Sequence, residues 1–160
     1  MAIWLVEDDP TQAKDILAVL KSAFPALPLL MKTEQEFLAV LKSTVLARPD
    51  VVIFDVMLPW TEIAEDGTVV CAPEGYEESG GFFRAGIRCA EALWTNPTTR
   101  EVPAVLFTVL TDGDLASDLK RFEGRPIHYL SKKELPEKLI ALVGSLVGDE
   151  NPGLSAGNVR

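Results

Sequence analysis

Short apolar runs alternate with amphipathic stretches along the chain. Residues 2–6 form the first run, with the length and composition of a strand buried on both faces. The next four residues read "EDDP". Asp9 supplies a capping side chain and Pro10 suits the first helical position. Ala13, Ile16, Leu17, Leu20 and Phe24 then recur at three- and four-residue intervals, which predicts a helix to about Phe24. "PLLM" predicts a second strand. Thr33 with Glu36 makes a capping box that opens a second helix, its apolar face formed by Phe37, Leu38, Leu41 and Val45. Val51–Phe54 is the third strand. "GIRCAEALW" predicts a helix over 86–94, and residues 102–107 a strand ending at Thr108. "DLASDLKRF" predicts a short helix with Leu115, Leu119 and Phe122 on one side. Residues 126–130 form a fifth strand, and 135–147 a last helix carrying Leu139, Leu142, Val143 and Leu146.

Strand followed by helix, five times over, builds an α/β fold: a doubly wound, five-stranded parallel sheet with helices on both faces. One domain over 1–147 is expected. Residues 148–160 lose all periodicity and read as a flexible C-terminal tail. The pattern is interrupted once, between the third strand and the third helix, by the Gly-rich segment 60–81. It holds Glu62, Glu65, Asp66, Glu74, Glu77 and Glu78 and no basic residue, and residues 68–72 have the composition of a strand or one arm of a hairpin. A loop of this length in a compact domain is usually functional or disordered. A lid or partner-docking loop beside the third strand and a tolerated surface insertion are both open readings.

Composition narrows the chemistry. The 160 residues suit a single core, and no apolar run approaches the length of a membrane span. A formal charge of −9 argues against a nucleic-acid partner, which needs clustered Lys and Arg, and suits solubility or a metal cation. Cys71 and Cys89 form neither a metal-ligand spacing nor a disulfide framework, so a reduced, cytoplasmic chain is expected. His128 is the only histidine and reads as a strand-end residue.

Parallel sheets of this kind place their ligand site outside the carboxyl ends of the strands. The first strand delivers Glu7 and Asp8 there, the third Asp55, the fourth Thr108 and the fifth Lys132. Three carboxylates in one crevice require a cation. An all-oxygen donor set points to a hard ion, and Mg²⁺ is the usual one where phosphate is handled. An ammonium and a hydroxyl beside the carboxylates are what a transferred phosphoryl group needs, and an aspartate can itself be the nucleophile. Each residue also has a plainer reading. Asp9 and Glu7 could serve only a helix start, Thr108 could be an ordinary strand-end threonine, and Tyr129 a core aromatic.

The set of "WLVEDD", "VVIFDVMLP", "VPAVLFT" and "HYLSK", in this order on these elements, resembles the response-regulator receiver domain of two-component signalling, a CheY-like, flavodoxin-like fold. The resemblance spans about residues 2–147 apart from the insertion. It implies Asp55 as phosphoacceptor, Asp8 as direct Mg²⁺ ligand, Glu7 as the outer acidic partner and the backbone carbonyl of Met57 as a further ligand. It implies Thr108 and Lys132 as the residues that contact the phosphoryl group, and Tyr129 as the switch aromatic. It implies a histidine kinase or histidine phosphotransfer protein as donor, and a downstream protein partner as output, with no membrane and no nucleic acid involved. The chain then reads as a stand-alone receiver that is no enzyme beyond its own phosphorylation and dephosphorylation.

Several positions depart from the family pattern. Lys133 stands where proline usually follows the lysine, which leaves Lys133 as a second candidate for the role of Lys132. Val109 stands where a small residue is usual, and is expected to narrow access to the phosphoryl site. The fourth helix is short, and the 60–81 insertion is foreign to the family. These departures keep a phosphorylation-independent binding module of the same fold, a pseudo-receiver, in play. A haloacid-dehalogenase-type phosphatase or an acidic nuclease site is disfavoured, because each needs a second acid where Met57 stands.

Overall fold

The computed structural model describes residues 1–148 except Ala26, Ala64 and Val69, so the tail expected over 148–160 lies outside the described residues beyond Gly148. The chain alternates as the apolar pattern predicts. The elements are β1 (Ile3–Val6), α1 (Pro10–Ala23), β2 (Leu29–Met31), α2 (Glu34–Lys42), β3 (Val51–Phe54), α3 (Ala85–Thr95), β4 (Ala104–Thr108), α4 (Ala116–Arg121), β5 (Ile127–Ser131) and α5 (Pro136–Val147). A single 3₁₀ turn over Gly81–Arg84 leads into α3.

The five strands form one sheet in the order β2-β1-β3-β4-β5, all parallel. Successive side chains of a strand point to opposite faces, and here both faces are dry. Ile3, Leu5, Ile53 and Val105 pack with Leu20 of α1 and Leu139 and Val143 of α5. Trp4, Val6, Val52, Phe54 and Leu106 pack with Phe37 of α2, Leu93 of α3 and Leu115 ahead of α4. Strand order reverses between β1 and β3, so the crevice lies outside their carboxyl ends.

Helix starts follow local chemistry. Asp9 Oδ1 accepts from the Thr11 and Gln12 amides at 2.8 and 2.9 Å, and Thr33 Oγ1 from the Glu36 amide at 3.1 Å. Two ends differ from the expectation. Helix α2 stops at Lys42, because Ser43 turns extended and its amide closes on the Val40 carbonyl at 3.0 Å. Val45 therefore leaves the helix and stands 90 % exposed. His128 is the second residue of β5, half-buried, and burial holds its pKa below the ordinary value. Of the thiols, Cys89 is buried in α3 and Cys71 exposed. No helix among the described residues is long and apolar enough to cross a membrane.

The boundary of α2 is directly testable. Phe37→Ala removes a fully buried ring that meets Phe54 edge-on, with centroids 4.9 Å apart. It is expected to cost about 3–5 kcal/mol in urea unfolding. Val45→Ala is expected to stay within about 0.5 kcal/mol of the parent. A comparable cost at Val45 would restore the longer helix.

Candidate functional site

Backbone pairing fixes the acidic residues before any side chain acts. The Glu7 amide donates to the Met31 carbonyl at 3.0 Å, and the Asp55 amide to the Val6 carbonyl at 2.9 Å. Each extends a ladder by one residue past its strand. Asp8 lies half-buried between Glu7 and the capping Asp9. The close approach of α3 completes the floor. The Gly86 amide donates to the Val56 carbonyl at 2.9 Å, and a Cβ on Gly86 would meet the Asp55 carbonyl oxygen at 2.0 Å. Glycine is the residue that lets the helix start sit against the end of β3.

Glu7, Asp8 and Asp55 each place one carboxylate oxygen within 4.8 Å of the others. Glu7 is 1 % exposed and Asp55 6 %. Burial raises the pKa of Glu7 above the ordinary carboxylate value, against the pull of the neighbouring Lys132 ammonium, and burial likewise raises that of Asp8. The Lys132 ammonium lies 2.6 Å from Glu7 Oε2 and 2.5 Å from Asp55 Oδ2. The other Asp55 oxygen, Oδ1, accepts from the Val56 amide at 2.6 Å and the Met57 amide at 3.2 Å. Three carboxylates thus face one ammonium. The donor set, oxygens only and converging within a few ångströms, fits a hard divalent cation. Met57 is half-buried beside Asp55.

The β4–β5 pair brings the remaining two residues to the same edge. The Lys132 amide donates to the Thr108 carbonyl at 2.9 Å. Thr108 is fully buried, and its Oγ1 accepts from the Leu110 amide at 3.3 Å. The Leu110 carbonyl accepts from the Tyr129 hydroxyl at 2.9 Å. One residue therefore joins Thr108 to Tyr129 through its two backbone groups. The two lysines left open by the sequence separate here. The Glu134 amide closes a turn on the Ser131 carbonyl at 3.0 Å, with Lys132 turned inward and Lys133 exposed. Val109 is 44 % exposed.

The insertion is built onto the domain. Pro59 and Trp60 carbonyls accept from the Glu34 and Gln35 amides at 3.1 and 3.0 Å, so the root of the insertion caps α2. Residues 73–81 coil through successive turns, with the Tyr76 ring edge-on to Trp60. The strand expected over 68–72 is not formed by its described residues. They lie between a left-handed Gly67 and Pro73, Val70 is 49 % exposed, and β2 and β5 remain the edges of the sheet. Arg88 of α3, which the sequence did not single out, fixes the coil. It pairs with both oxygens of Glu34 at 2.8 and 2.6 Å and donates to the Ser79 and Gly81 carbonyls at 3.0 and 2.8 Å. Its guanidinium also lies 4.5 Å from the Tyr76 ring centre.

No family model and no curated protein matches the sequence. Solved structures do. A signal receiver domain of a signal transduction histidine kinase from Syntrophus aciditrophicus shares 22 % identity at a TM-score of 0.64, covering 99 % of this chain and 98 % of its own. The phosphorylated cyanobacterial phytochrome response regulator RcpA shares 20 % at 0.62, covering 98 % and 96 %. The Mn²⁺-bound response regulator Rcp1 shares 18 % at 0.61, covering 99 % and 98 %. The fold of this chain is that of the response-regulator receiver domains.

Proposed function

We propose that the chain is a receiver that accepts a phosphoryl group on Asp55 from a phosphohistidine of a histidine kinase or phosphotransfer protein, and passes the change to a protein partner in the cytoplasm. The observation that carries this reading is the buried acceptor arrangement: Asp55 at the end of β3, one oxygen on two backbone amides, the other on Lys132, beside Glu7 and Asp8. An Asp55 carboxylate oxygen forms the new O–P bond while the N–P bond of phosphohistidine breaks. The imidazole nitrogen leaves with the electron pair and takes up a proton. Mg²⁺ held by Asp8 and Asp55, with Glu7 behind and the Met57 carbonyl beside, would neutralise phosphoryl oxygens. Lys132 supplies a second positive charge from the chain itself, transferring its contact from Asp55 to the phosphoryl group.

Thr108 carries the change outward. When its hydroxyl turns to donate to a phosphoryl oxygen, the Leu110 amide loses its acceptor and the carbonyl anchoring Tyr129 shifts. The populations of two Tyr129 positions then follow the state of Asp55. The surface altered is that of α4, β5 and α5. Catalysis is confined to the domain's own phosphorylation and dephosphorylation.

Incubation with Mg²⁺ and acetyl phosphate, read by intact mass, is expected to add one phosphoryl group, and none to Asp55→Asn. No adduct, together with no Mg²⁺ effect on Trp60 fluorescence, would favour a phosphorylation-independent binding module instead.

Substitution separates the lysines. Lys132→Met leaves Glu7 and Asp55 buried without their ammonium and is expected to cost about 3–5 kcal/mol, as does breaking other buried pairs. Mg²⁺ is expected to restore part of that stability, since it neutralises the same oxygens. Lys133→Met is expected to leave urea unfolding unchanged. Equal effects at the two positions would remove Lys132 from the site.

The raised pKa values of Glu7 and Asp8 set the pH dependence of metal binding. A cation must displace protons that these carboxyls hold to a higher pH than free carboxyls do. Mg²⁺ affinity, followed by Trp60 fluorescence, is therefore expected to fall as pH drops, from a higher pH than ordinary carboxyls would give, while proton release on binding rises. An affinity that does not change with pH would place the cation elsewhere.

A further inference from the structure

Two arginines four residues apart open α3, and they hold opposite neighbours. Arg88 fastens the insertion and Glu34, as described above. Arg84 reaches the other way, to α4. Its Nη2 donates to the Asp114 carbonyl at 3.0 Å, and its Nε lies 3.2 Å from Asp118 Oδ2 as an ion pair without hydrogen-bond alignment. Asp118 is 7 % exposed, so this charge is held where water does little to screen it. Arg121 of α4 returns the link, pairing with Glu91 of α3 and with Asp118.

The two clamps share one short piece of backbone. Gly80 and Gly81 both have positive φ, at 92° and 51°, and the 3₁₀ turn Gly81–Arg84 begins there. Arg88 grips that turn at the Gly81 carbonyl, and the Leu58 amide grips it at the Phe82 carbonyl at 3.2 Å. The coil of the insertion and the turn that ends in Arg84 therefore meet at the Gly80–Gly81 backbone and share the Arg88 contacts. On the receiving side, α4 is six residues long and has no side-chain cap at its start. A helix of that length depends on its tertiary contacts. Its apolar anchors are Leu115 and Phe122 at its two ends and the half-buried Leu119 between them, and the Asp118–Arg84 ion pair ties it to the turn before α3.

We propose that the first turn of α3 couples the insertion to α4, so that whatever loosens or displaces the 73–81 coil loosens α4 as well. The insertion is then an input to the same helix that the phosphoacceptor reading assigns to output, and it acts whether or not Asp55 carries a phosphoryl group. The coupling runs both ways, as any equilibrium coupling must.

Hydrogen exchange by mass spectrometry on the full chain tests this. Arg88→Gln is expected to speed exchange about fivefold or more in the coil over 73–81 and, in the same protein, in residues 115–122, with β1 and α1 unchanged. Arg84→Gln is expected to speed exchange in 115–122 and, reciprocally, in the coil. Where Arg88→Gln proves too unstable to measure, Tyr76→Ala frees the coil while leaving the Arg88–Glu34 pair in place. A coil that loosens in either variant with α4 exchange unchanged would overturn the proposal. So would a coil that exchanges no faster in either variant.

Discussion

The Lys132 ammonium is the contact on which the rest of the arrangement depends. Two carboxylates almost out of water, Glu7 and Asp55, are costly to hold charged, and a third, Asp8, lies half-buried beside them. The chain answers with one cation reached from 125 and 77 residues away in sequence. That reach is a property of the sheet. Glu7 and Asp55 are set by ladder bonds continuing past β1 and β3, Lys132 by one continuing past β5 onto Thr108. A shift of any of these strands by one residue would send its polar terminus to the opposite face. The apolar strands are therefore as much a device for positioning charge as for burying surface. The deficit they leave, three carboxylates to one ammonium, is what makes the crevice receptive to a hard cation.

Most of this was legible in the sequence because burial on both faces writes strands as unbroken apolar runs. A polar residue closing such a run has nowhere to be except the sheet edge, which is how Glu7, Asp55 and Thr108 declared themselves. The choice between Lys132 and Lys133 was not legible from composition, because it is made by a turn in which Lys132 pairs with Thr108 and Lys133 points to water. Periodicity overran at α2, where Val45 continues the apolar spacing although Ser43 has already left the helix. It misled again at 68–72, since a β-prone run makes a strand only where an edge accepts it. The arginines of α3 left no local signal: Arg88 meets a residue 54 positions away, and Arg84 one 30 positions away.

The insertion follows the same accounting of backbone groups as the core. A helix start presents amides with no partner inside the helix. In α2 two of them are met by the Pro59 and Trp60 carbonyls and one by Thr33 Oγ1. The loop after Asp55 is thus already committed to α2 at its first residues. The Arg88–Glu34 pair, with Glu34 3 % exposed, fixes the far end of the same loop to the same helix. Both ends of the loop are thus tied to the same helix start.

Stability is consequently distributed unevenly. The crevice rests on four ladders and on a core packed against both faces of β1, β3 and β4, where local opening is costly. Helix α4 rests on Leu115, Leu119 and Phe122 and on a set of ion pairs, and ion pairs exchange partners without opening a cavity. The crevice side of the molecule can therefore hold its charges in fixed geometry while the α4 side adjusts. Leu110 stands at the junction of the two. Its amide donates to Thr108 Oγ1 and its carbonyl accepts from the Tyr129 hydroxyl, so one backbone unit links the buried hydroxyl at the crevice to the aromatic ring of β5.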